Sequence, residues 1–127
     1  MEKYLYMILL RSNKVLGYPS TIFDCATGQV LINNLPMKIR VKAFASLKIL
    51  SEYGNNLREP YSKYIDKGIF ELRIKFSTDI TRIFYFFIKD NKIILTNGYI
   101  KKQNKLDSNE FSKAVKYKED YERREMK

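Results

Sequence analysis

The clearest alternation along the chain is the stretch "FELRIKF", residues 70–76. Phe70, Leu72, Ile74 and Phe76 fall on one side of an extended backbone, and Glu71, Arg73 and Lys75 on the other. A period of two predicts a half-buried β-strand with one apolar and one polar face. "STD" supplies a turn. "RIFYFFI" (82–88) follows and is almost wholly apolar and aromatic, as a central strand covered on both faces requires. "KDNK" predicts a hairpin turn and "KIILTNGYI" the next strand, so three strands joined by short turns form an antiparallel meander.

Upstream the period changes to that of a helix. In "LPMKIRVKAFASLKILSEYG", Ile39, Ala43, Leu47 and Leu50 recur at helical spacing as a buried stripe. Pro36 stands at the start, where a missing N–H costs nothing, and Gly54 provides a stop. Lys38 and Lys42 lie one turn apart on another face, either a solvated surface or a contact for RNA. The polar stretch 55–68, interrupted by Pro60, reads as a loop or irregular extension. Near the C-terminus, Asp107 with Glu110 three residues on resembles a capping box. It opens a helix whose apolar face carries Phe111, Ala114, Val115 and Tyr121. "TIFDCATGQVLI" predicts an N-terminal strand and a turn around Gly28. The apolar run Tyr4 to Leu10 is too short to span a bilayer and lacks the flanks of a signal peptide, so residues 1–20 are expected to pack on a domain formed by 21–127. The order strand, helix, meander, helix predicts an α+β fold, an antiparallel sheet of three meander strands plus the N-terminal one, with its helices on one side.

Composition sharpens this picture at two points. The chain has 24 Lys and Arg against 14 Asp and Glu, a formal net charge of +10, which favours a polyanionic partner. It has no histidine and a single cysteine, Cys25. That removes Ser-His and Cys-His nucleophile arrangements and makes a structural zinc site implausible, and a lone thiol suits a reducing cytosol. No phosphate-binding glycine loop or metal-ligand spacing is present, so no metal and no small-molecule cofactor is expected. Any catalysis must run on Lys, Arg, Tyr and carboxylates.

The candidate chemistry gathers on the polar side of the meander. Arg73 lies on its first strand, Arg82 opens the second, and Lys101, Lys102 and Lys105 follow the third in "NGYIKKQNK". Such a set suits phosphate oxygens and the charge that grows at a pentavalent phosphorus. Alternatively, either arginine is held by a carboxylate such as Glu71 or Asp79. RNA is cleaved without metal when its own 2′-hydroxyl attacks the adjacent phosphate, given a base, a cationic clamp and an acid. A lysine crowded by other cations loses its proton more readily, so Lys101, Lys102 or Lys105 can transfer protons in place of histidine. Lys75 extends the cationic face. Tyr99 and Tyr85 can stack on bases, donate a proton or simply fill the core.

"LREPYSKYIDKGIFELRIKF", "TRIFYFF" and "ILTNGYIKKQNK", followed by "FSKAVKYKEDY", resemble the HigB-like, phage-derived branch of the RelE/ParE toxin superfamily, over about residues 21–124. The resemblance implies a compact RelE-like domain acting as the toxin of a type II toxin–antitoxin pair. It implies ribosome-dependent cleavage of mRNA in the cytoplasm and neutralisation by a helix-turn-helix, HigA-like antitoxin. Arg73 and Arg82 match the sheet arginines that bind phosphate and stabilise the transition state, and Lys101 and Lys102 the basic positions after the last strand. Some RelE-type toxins carry a functional tyrosine where this chain has Phe111, which favours the lysines for proton transfer. A ParE-like topoisomerase inhibitor and a catalytically inactive binding module are the alternatives.

Overall fold

The computed structural model describes residues 22–25, 35–88, 92–101 and 106–125. Its centre is strand β4 (Asp79–Ile88), where Thr81 to Phe86 are all buried, as the apolar run predicts for a strand covered on both faces. β3 (Ile69–Phe76) and β5 (Lys92–Lys101) flank it antiparallel. The two-residue turn at Ser77 and Thr78 sets the β3–β4 register by pairing Phe76 with Asp79, which brings Arg73 directly opposite Arg82. The predicted "KDNK" turn has its central residues outside the described set. So do residues 1–20 and the turn around Gly28.

Two further strands complete a five-stranded sheet in the order β1-β5-β4-β3-β2. β1 (Ile22–Cys25) is the expected N-terminal strand, and it runs parallel to β5. β2 (Ser62–Asp66) corrects the reading of 55–68 as loop. Lys67 and Gly68 both have positive φ, 54° and 78°, and join β2 to β3 as a two-residue hairpin turn. This backbone twist matches the twist of the paired strands. Asp66 Oδ1 accepts from Lys67 N, and Tyr64 Oη accepts from Gly68 N, so the turn's amides are satisfied.

Helix α1 (Met37–Tyr53) begins after Pro36 and stops at Gly54, whose φ of 56° is open to glycine at little cost. Its stripe of Ile39, Ala43, Leu47 and Leu50 packs on Leu72, Ile74, Ile83, Tyr85, Ile93 and Leu95. Helix α2 (Ser108–Glu125) places Ala114 and Phe111 against Phe84 and Ile69, and Tyr121 against Phe86 and Ile94. Alternate residues of a strand face opposite ways, so Ile83 and Tyr85 lie on one side of β4, and Phe84 and Phe86 on the other. The helices therefore cover opposite faces of the sheet, which corrects the expectation of both on one side. The polar side of "FELRIKF" is consequently an interior face. Glu71 on it is fully buried.

Asp107 caps α2 as predicted, its Oδ1 accepting from the amides of Asn109 and Glu110. The reciprocal half of the box is replaced. The Asp107 amide donates to Tyr99 Oη, and the Glu110 carboxylate accepts from Asn97 Nδ2 at 2.8 Å. Asn97 is placed for this by a β-bulge. Ile83 pairs with Gly98 and Tyr85 with Leu95, so Thr96 and Asn97 both lie opposite Phe84. Bulge and cap together tie the start of α2 to β5.

Candidate nucleic-acid interface

Across the α2 side of the sheet one row of positions reads Arg73, Arg82, Tyr99, each opposite the next on β3, β4 and β5. Two like charges directly opposite each other repel, and that arrangement persists only with a counter-charge between them. Glu71 provides it. Its Oε1 accepts from Arg73 Nε and from Arg82 Nη1, each at 2.9 Å. The ion-pair reading of the arginines thus holds for both, with Glu71 as the common acceptor.

The two arginines are otherwise unlike. Arg82 has 1% of its side chain exposed and Arg73 20%. Arg73 spends its inner nitrogen on Glu71. Among the described residues no group accepts from its terminal Nη1 and Nη2. An arginine tied by Nε presents the edge that forms paired hydrogen bonds to a carboxylate or phosphate. Arg82, by contrast, is enclosed, and in this conformation it acts on its surroundings through Glu71 and its field rather than by touch.

The next row on the same side, two residues along each strand, reads Lys75, Ile80, Lys101. Lys75 is exposed. Lys42 of α1 reaches the same end of the sheet, donating from Nζ to the Lys75 carbonyl and lying 5.3 Å from the centre of the Phe76 ring. Lys38, exposed, stands one turn earlier on α1. Lys42 and Lys75 thus meet at one end of the sheet, with Arg73 one row inward. The backbone of Lys101 is the last of β5, and Lys102 and Lys105 lie outside the described residues. Tyr99 packs its ring on Phe84, with centroids 5.8 Å apart. Burial pushes its pKa up, partly offset by the hydrogen bond from the Asp107 amide, so the phenol keeps its proton at neutral pH. Phe111 lies edge-on to the same Phe84 ring, as a packing residue.

Clefts among the described residues also lie elsewhere. Two hollows of about 420 and 530 Å³ flank the end of α1 and the β2 edge on the opposite side of the sheet. Their lining carries Arg58 and Lys63 but also Glu52 and Glu59, so it lacks the surplus of cations that a polyanion needs. Among the described residues no three carboxylate or cysteine side chains converge to hold a metal ion, and no helix is long and apolar enough to cross a membrane.

Sequence reasoning put Arg73 and Arg82 on one face but did not assign Glu71 as the residue that organises them. The signal was available. A two-residue turn at 77–78 forces Arg73 opposite Arg82, and Glu71 is the acid two residues along on the same side of β3.

A mixed sheet between two helices thus carries a cationic end and a buried carboxylate–arginine cluster. The model of the family described as Phage derived protein Gp49-like (DUF891) matches residues 31–119, and the chain belongs to that family, which is part of the RelE/ParE-like toxin superfamily. No curated protein matches the chain.

Proposed function

We propose that this protein is the toxin of a type II toxin–antitoxin pair and cleaves mRNA on the ribosome without a metal ion. The single observation that carries the reading is Arg73. Its Nε is fastened to a buried carboxylate, its terminal nitrogens have no acceptor among the described residues, and Lys75 stands in the next row on the same side of the sheet. Membership of a toxin superfamily supports the same assignment.

In this reading Arg73 binds the non-bridging oxygens of the scissile phosphate. Arg82 adds positive potential from beneath. A lysine among Lys101, Lys102 and Lys105 accepts the proton of the 2′-hydroxyl. The 2′-oxygen forms a bond to phosphorus as the bond to the 5′-oxygen breaks, and a second cationic side chain returns a proton to that leaving oxygen. The products are a 2′,3′-cyclic phosphate and a free 5′-hydroxyl. Lys38, Lys42 and Lys75 hold flanking phosphates, and Tyr99 supports the site from the side of α2. The partner is a helix-turn-helix antitoxin, the target is mRNA in the ribosomal A site, and the compartment is the cytoplasm.

The test is induction of the protein in growing cells, with mapping of new mRNA 5′ ends. Growth arrest with discrete in-frame cuts is expected, and Arg73→Ala should lower the cleavage rate by about 100-fold or more, as loss of a transition-state donor does. Arrest with intact message and blocked DNA supercoiling would assign the ParE-like activity instead. Absence of arrest, with antitoxin binding kept, would assign an inactive binding module.

A further inference from the structure

We infer that Glu71 is the positioning residue of this site. Its buried carboxylate fixes the direction in which Arg73 presents its terminal nitrogens to a phosphate of RNA. This rests on the reading of Arg73 as the phosphate-binding residue.

Three observations converge. Glu71 is fully buried on an interior face, a place where a carboxylate occurs only with partners that compensate its lost hydration. Both arginines share one oxygen, Oε1, whereas Oε2 is buried with no hydrogen-bond partner among the described residues. The carboxylate is therefore oriented by the arginines and in turn orients them. The bond to Arg73 is made at Nε, the nitrogen nearest the stem. That choice stops rotation of the guanidinium and leaves the outer edge facing away from Glu71. An arginine held by its outer edge would have nothing left for a phosphate. A long exposed side chain loses rotational freedom when it binds an anion, and an arginine already fixed at Nε has lost most of it beforehand.

The opposite expectation is also definite. If Glu71 only compensated charge, removing its negative charge would strengthen RNA binding, and Arg73 would contribute the same amount with or without it. A positioning role makes the two residues non-additive.

The experiment is a double-mutant cycle, read as fluorescence anisotropy of a single-stranded RNA oligonucleotide at fixed low salt, with thermal melting of each variant and message cleavage measured in parallel. Arg73→Ala should weaken binding roughly tenfold in the native background, the effect of one charge-assisted contact. In the Glu71→Gln background it should weaken binding less than about twofold, because the unheld arginine has little left to lose. Equal losses in both backgrounds overturn the inference, as does absence of RNA binding by the unmodified protein. Should Glu71→Gln fail to fold, Arg73→Lys decides. A lysine keeps the charge but cannot be tied at one edge and open at the other, so its affinity should fall close to that of the alanine variant. Affinity within twofold of the native protein would overturn the inference. The two readings separate cleanly. A coupled cycle with intact message removes the nuclease activity and leaves the positioning role in phosphate binding, whereas cleaved message with an additive cycle removes Glu71 alone.

Discussion

The two faces of the sheet are built from different materials. The α1 face packs aliphatic side chains around the rings of Phe70, Tyr85 and Phe87, and a polar contact within it is neutral, the buried hydrogen bond between Ser62 Oγ and Tyr85 Oη. The α2 face mixes aromatic packing around Phe84 and Phe86 with a buried carboxylate serving two guanidiniums. Apolar burial is non-directional and tolerates repacking, whereas buried charges demand partners and lose heavily when one is removed. The α1 face therefore reads as the foundation of the fold. The α2 face spends stability to hold charge in a set direction. That is the usual signature of a site.

The largest effect that tests this contrast is Glu71→Ala, which leaves Arg82 enclosed without its carboxylate. Breaking a buried pair from one side typically costs about 3–5 kcal/mol. Replacing both partners, Glu71→Met with Arg82→Met, should restore stability to within about 1 kcal/mol of the native protein, since apolar substitutes of similar volume are often neutral. Denaturant unfolding measures both. A double variant as unstable as the single one would show that the charges are not what sets this face apart.

A smaller effect belongs to the α1 face and appears only at alkaline pH. Burial raises the Tyr85 phenol from its ordinary 10 to about 12, against weaker lowering by the Ser62 hydrogen bond and by Arg58. Below pH 10 the folded and unfolded chains both keep the proton. Between 10 and 12 the unfolded chain releases it and the folded chain does not, so stability falls by roughly 2–3 kcal/mol across that window. Tyr85→Phe should remove this part of the alkaline loss while lowering stability at neutral pH by about 1 kcal/mol, because Ser62 loses its partner. Identical alkaline profiles for the two proteins would overturn the assignment.

The smallest stability effect should accompany a clear functional one. Arg73→Ala removes a partly exposed partner and leaves Arg82 on Glu71, so unfolding should change by less than about 1 kcal/mol. The logarithmic salt dependence of single-stranded RNA binding should nevertheless become shallower by about 0.7, the increment for one phosphate contact. An unchanged slope would remove Arg73 from the interface and blur the distinction between the faces.

Local pattern carried much of this architecture. Period-two alternation in "FELRIKF", the apolar run of β4, the stripe of α1 and the Asp107 cap all read correctly, because each is a property of neighbouring residues. β2 was hidden by its polar composition and by Pro60, although "DKG" carries the glycine that a two-residue hairpin needs. Lys38 and Lys42 were read on a helix face and Lys75 on the sheet, and the structure joins Lys42 to Lys75 through the end of β3.

By itself the sequence determined which residues share a face, where the helices begin and end, and that any chemistry must run without histidine. These follow from backbone geometry and side-chain type, which act over a few residues. Only the tertiary structure decided which faces are covered. α2 lies on the sheet side opposite α1, so the polar face of β3 became interior, Arg82 was enclosed, and Arg73 was left at its margin with no acceptor for its outer edge among the described residues. Coverage of a face depends on where a distant helix returns, and no local period records that.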